Sequence, residues 1–79
     1  MPAYFYHVDQ GSPDLDTEGT QLNNMDDARE QAIDVLINIL RNGGGTAVLN
    51  GRPLTLWVTD GPGDTGARLF SLRVSVSAP

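Results

Sequence analysis

Seventy-nine residues with five basic and ten acidic side chains carry a formal net charge of −5. All five basic residues are arginine; there is no lysine, no cysteine and one histidine, His7. This excludes a disulfide, a thiolate metal site and a cysteine nucleophile, a Walker-type lysine or Schiff base, and a His-His zinc site within one chain. The length allows a single domain, residues 1–79, with a modest core. Small domains usually add a disulfide, a metal or an oligomer contact. The first is impossible and the second poorly supported, so self-association is the expected supplement.

The charge is polarised. Residues 1–34 hold eight acids and Arg29, for −7, whereas residues 35–79 hold two acids and four arginines, for +2. That pattern disfavours general binding to nucleic acid or an anionic membrane. Met1-Pro2-Ala3-Tyr4 shows no basic stretch followed by an apolar run, and Val35 to Leu40 is too short to span a bilayer. A cytoplasmic protein is therefore expected.

In chain order, Ala3 to Val8 is dense in aromatic and β-branched residues and predicts a strand. Gln10 to Asp14 is turn chemistry, and a short strand over Thr20 to Leu22 pairs back on the first. Asn23 or Asn24 then caps a helix whose first turn carries Asp26 and Asp27, where carboxylates suit the helix dipole. The helix runs to about Arg41 and stops at Asn42-Gly43-Gly44-Gly45. Helical spacing places Met25, Ala28, Ala32, Ile33, Val35, Leu36, Ile37, Ile39 and Leu40 on one broad arc. That arc exceeds what one sheet face needs, so Ile33 and Ile37 at its edge are candidates for contact with another chain.

Thr46 to Arg52 admits a hairpin at Asn50-Gly51, but the preferred reading is a loop that tucks Val48 and Leu49 under the helix end. Leu54, Leu56 and Val58 alternate with Thr55, Trp57 and Thr59, a strand with one apolar face. The turn-rich Asp60–Gly66 leads to a last strand in which Phe70, Leu72, Val74, Val76 and Ala78 alternate with Leu69, Ser71, Arg73, Ser75 and Ser77. The expected fold is α+β: a ββαββ order, with a four-stranded antiparallel sheet and one helix packed on one face.

Three stretches resemble one family. Met1-Pro2-Ala3-Tyr4-Phe5-Tyr6-His7-Val8 is similar to an opening Met-Pro-x-Tyr-Phe-Phe-His-like strand. Asp16 to Leu22 followed by Ala28-Arg29-Glu30-Gln31-Ala32 resembles an acidic glycine turn leading to an Ala-Arg-x-x-Ala helix. Val58-Thr59-Asp60-Gly61 resembles a strand ending in an Asp-Gly turn. Together they resemble a family of small bacterial proteins of unknown function. The resemblance supports the ββαββ order and implies no activity.

Motifs with apparent chemistry have plainer readings. Asp14-Leu15-Asp16-Thr17-Glu18-Gly19 copies the first half of an EF-hand loop, but Met25 stands where the bidentate carboxylate belongs. Calcium binding is kept as an alternative to an acidic turn whose carboxylates pair with Arg29. Gly43-Gly44-Gly45 follows a helix where a phosphate loop precedes one. No nucleophile elbow is present, so no catalytic residue, cofactor or metal ligand is assigned, and no small-molecule substrate is evident.

The informative feature is the sheet face away from the helix. If Tyr4, Tyr6 and Val8 point to the core, then Phe5 and His7 share the other face with Trp57, Leu69 and Arg73, provided the first and last strands are neighbours. Monomers seldom leave such an aromatic patch without use, and Trp, Phe and Arg are common interface anchors. The expected partner is a second copy or another protein. The alternative is a stacking platform for single-stranded nucleic acid, which the −5 charge opposes.

Overall fold

A computed structural model of the chain describes residues 2–77. The elements are β1 (Ala3–Asp9), β2 (Pro13–Asp14), β3 (Thr20–Gln21), α1 (Met25–Ile39), α2 (Gly45–Leu49), β4 (Leu54–Thr59) and β5 (Arg68–Val74). All strand pairs are antiparallel, and the sheet runs β2-β1-β4-β5 with β3 also on β1. The fold is α+β, with one main helix on one face of an open sheet. The expected four strands become five because the partner of β1 is split. Asp14 pairs with Val8 and Thr20 with Tyr4, so five residues on one side oppose three on the other. A continuous second strand cannot form across that excess. The first and last strands are not neighbours, since β4 lies between them.

β4 is the centre of the sheet, and its alternation sets the two faces. Leu54, Leu56 and Val58 are fully buried. Leu56 and Val58 join Tyr4, Ala28 and Ala32 in the core, with Tyr6, Val8, Leu22, Met25, Val35, Phe70 and Leu72 packed around it. Ala28 and Ala32 are fully buried on the side of α1 that faces the sheet, where small side chains suit close packing. The Tyr6 hydroxyl crosses the layer to donate to the Ala28 carbonyl at 2.9 Å. Burial, with Tyr4 as a second cause, pushes that hydroxyl up to about 12, so it stays a donor.

Asn24 is the N-cap: its side chain accepts from the Asp27 N–H at 2.9 Å, and Asp26 and Asp27 occupy the first turn. Beyond Ile39 the helix widens and breaks at Gly43, whose φ of +106° only glycine adopts readily. The chain does not then enter a loop. It forms α2, which ends where Gly51 N–H donates to the Val48 carbonyl and Arg52 N–H to the Ala47 carbonyl, at 3.0 and 2.9 Å. These two bonds, with Gly51 at φ +93°, make a Schellman stop, so Asn50-Gly51 closes a helix instead of a hairpin. Val48 is buried as expected; Leu49 is 73% exposed and is not tucked in.

The last strand is shorter than its alternation suggested. β5 ends at Val74, Val76 is exposed, and Ala78 lies outside the described residues. Among the described residues, no helix is long and apolar enough to cross a membrane.

Candidate functional site

Across the face opposite α1, strand register sets three rows: Phe5–Thr59–Arg68, His7–Trp57–Ser71 and Asp9–Thr55–Arg73. Phe5, His7, Trp57 and Arg73 thus share this face, as their strand parity requires. Leu69 does not. A register shift between Val58 and Thr59 leaves it bulged between Phe70 and Arg68, and it packs against the core. The bulge brings Arg68 onto the open face instead, with its guanidinium carbon 5.2 Å from the Trp57 ring centroid. No alternation rule signals that exchange, because a bulge breaks the period of two.

Phe5 and His7 are on the expected face but are not exposed. His7 is fully buried and Phe5 is 8% exposed. The cover comes from two loops, residues 15–19 and 60–67. Gly19 sits over Phe5: a Cβ at that position would lie 2.7 Å from the ring, and its φ of +77° also favours glycine. The Gly63 N–H donates to the Asp16 carbonyl at 2.9 Å and ties the two loops together.

His7 is the peg between them. The Asp16 backbone N–H donates to Nδ1 at 3.0 Å, so Nδ1 is the bare nitrogen. Nε2 therefore carries the proton and donates to Thr59 Oγ1 at 2.8 Å, and Thr59 Oγ1 donates to the Gly61 carbonyl at 2.7 Å. Every polar atom of the buried pair is used. The imidazole also lies 5.4 Å from Trp57, tilted by 36°.

Asp16 occupies the gap between β2 and β3 and replaces the missing strand partner. Oδ2 accepts from the Tyr6 N–H, and Oδ1 accepts from Glu18 and Gly19 N–H, all at 3.0–3.1 Å. Partial burial pushes its carboxyl up, but the donors from Gly19, Tyr6 and Glu18, with His7 nearby, hold it below the ordinary aspartate value. Both oxygens are thus spent on backbone, and among the described residues no three His, Cys, Asp or Glu side chains converge on a metal-sized site. Arg29 pairs with Asp26 at 3.5 Å, in place of the expected turn carboxylates.

A family model described as Domain of unknown function (DUF6894) matches residues 3–75. The chain belongs to the DUF6894 family. The match takes in all seven elements, from β1 through β5. No curated protein and no solved structure matches the chain.

With Phe5 and His7 covered, apolar surface is concentrated elsewhere. Ile33 is 52% and Ile37 42% exposed, one helical turn apart on α1. A cleft of about 340 Å³ is lined by Ile33 with Arg29, Phe70, Ser71 and Leu72. Ser71 belongs to the opposite face by parity, so its presence shows that the cleft opens at the strand edge. β5 is the last strand of the sheet, and that edge is unpaired among the described residues. Helical periodicity had singled out Ile33 and Ile37; the strand edge beside them required the sheet order.

Proposed function

We propose that this chain is a cytoplasmic protein-interaction module with no catalytic role of its own, and that it self-associates along the outer flank of α1 and β5. The observation that carries this reading is exposed Ile33, which lines the cleft at the free sheet edge, with exposed Ile37 one helical turn further along α1. Apolar side chains next to unpaired strand N–H and C=O groups offer both terms an added chain needs: burial and ladder hydrogen bonds. The open face supports a nucleic-acid platform less well, because Phe5 is buried and Arg68 stands over Trp57.

Sedimentation velocity over a concentration series tests the reading. A reversible species larger than the monomer is expected, and Ile37→Asp is expected to weaken it at least tenfold, consistent with about 1.5–3 kcal/mol for burying an isoleucine. Association unchanged by Ile37→Asp, or a monomer throughout, would overturn it.

A further inference from the structure

We infer that His7 is an acid-sensitive latch: a proton on its Nδ1 parts the loops 15–19 and 60–67 and admits water to the sheet face beneath them. The latch lies on the face opposite α1 and does not rest on the self-association proposed above.

A backbone N–H can only donate, so the bond from Asp16 N–H to Nδ1 exists only while Nδ1 keeps a free lone pair. Nε2 gives its proton to Thr59 Oγ1, whose own proton goes to the Gly61 carbonyl. The bonds thus run in a single direction, from Asp16 through the ring to Gly61, and only the neutral imidazole fits. A second ring proton would set N–H against N–H at 3.0 Å. Histidine is also the side chain whose ordinary charge change falls between about pH 5 and 8.

His7 is fully buried, and an imidazolium there needs a partner or water. The charged groups on the elements around it are Asp9 on β1, Asp16 and Glu18 on the first loop, Asp60 and Asp64 on the second, and Arg68 on β5. Asp16 is near enough for His7 to act on its carboxyl, yet both its oxygens already accept backbone N–H groups. Asp9 and Asp60 each hold an N–H of their own turn, from Gly11 and Ala67. Glu18 and Asp64 are exposed, and Arg68 over Trp57 adds a like charge to the same face. Water is what remains to take the charge.

The seam between the loops is where water enters. Asp16 touches both sides of it: its N–H holds the ring, and its carbonyl takes the Gly63 N–H at 2.9 Å. Its carboxylate bonds to Tyr6, Glu18 and Gly19 do not involve the imidazole, so they keep the first loop tethered to β1 while the seam parts. A cleft of about 260 Å³ already opens there, lined by Leu15 of the first loop, Gly63 and Thr65 of the second, and Trp57 and Thr59.

The test takes the native chain from about pH 8 to 5, reading His7 ring protonation by NMR and amide protection after correction for the intrinsic pH dependence of exchange. Protection of Asp16 and Gly63 is expected to fall at least tenfold along the same curve as the ring titrates, with Val58 unchanged. Emission from Trp57, the sole tryptophan, should move with them. His7→Gln keeps an acceptor and a donor but does not titrate, and its Asp16 and Gly63 protection should stay flat over that range. A ring that titrates while both amides stay protected overturns the latch, as does a ring that stays neutral to pH 5. Protection lost equally in His7→Gln, or lost in step with Val58, overturns it too. If the glutamine variant does not fold, the coincidence of ring and amide curves in the native chain decides alone.

Discussion

Asp16 shows how one side chain can stand in for a strand. Its carboxylate takes three backbone N–H groups that would otherwise be unpaired where β2 and β3 part. Those donors hold its folded value below the ordinary 3.8 despite partial burial. The sign of the linkage follows: the unfolded chain binds a proton that the folded one refuses, so this contribution is present above pH 3.8 and lost as pH falls through the folded value. Asp16→Asn keeps an oxygen for Glu18 and Gly19 but sets an amide N–H₂ against the Tyr6 N–H. It should cost about 1–3 kcal/mol at neutral pH, the range for an unsatisfied buried donor. Because asparagine does not titrate there, the variant should also lose less stability than the parent on acidification. Urea midpoints at pH 7 and pH 3 measure both effects, and equal midpoints for the two proteins at pH 7 would refute the role. The Asp-x-Asp-x-Glu-Gly pattern drew attention to this turn through its likeness to a calcium loop. What the pattern hid is that a short acid followed three residues later by glycine also forms a side-chain-to-backbone turn.

At the scale of elements, β1 and β4 behave as alternation predicts: Leu54, Leu56 and Val58 go in, and Phe5, His7 and Trp57 go to the other face. The sequence does not reveal what covers that other face. It depends on Gly63 meeting Asp16 and on Thr59 meeting His7, contacts between segments more than forty residues apart. Leu69 departs from alternation for a related reason. Whether a strand carries a bulge depends on the partner strand, which a window of local sequence does not contain. α2 leaves little trace in the sequence because a five-residue helix has almost no periodic signal, and because Asn50-Gly51 suits a helix stop as well as a hairpin. The two loops and His7 form one mechanical unit, and this is testable. His7→Ala removes the acceptor for Asp16 N–H and the donor to Thr59. It should therefore speed amide exchange of Asp16 and Gly63 together by at least tenfold, while β4 amides such as Val58 change far less. Acceleration confined to Asp16 would show that the loops open independently.

At the scale of the whole molecule, the domain is extended for its size. Its radius of gyration is 12.8 Å and its principal extents are 43 × 22 × 21 Å, whereas a compact chain of this length is expected near 11.6 Å. In the layers, α1 covers one face of an open sheet, loops cover part of the other, and among the described residues no strand pairs with the outer edge of β5. A small core and a long shape leave much apolar surface near water, including Ile33 and Ile37. Coupling to a second copy would then contribute to folding itself, and mass action makes this measurable. A tenfold rise in chain concentration stabilises a dimer by about 1.4 kcal/mol, or about 0.7 kcal/mol per chain. For a domain of this size that raises the midpoint temperature by roughly 3–6 °C. The parent chain should show this shift for each tenfold step between micromolar and near-millimolar concentration. Ile37→Asp, whose side chain is exposed in the single chain, should fold with nearly the same spectrum but show little shift over that range. A parent midpoint independent of concentration would mean that a single copy supplies its own stability, and that the exposed flank of α1 and β5 contributes nothing to folding.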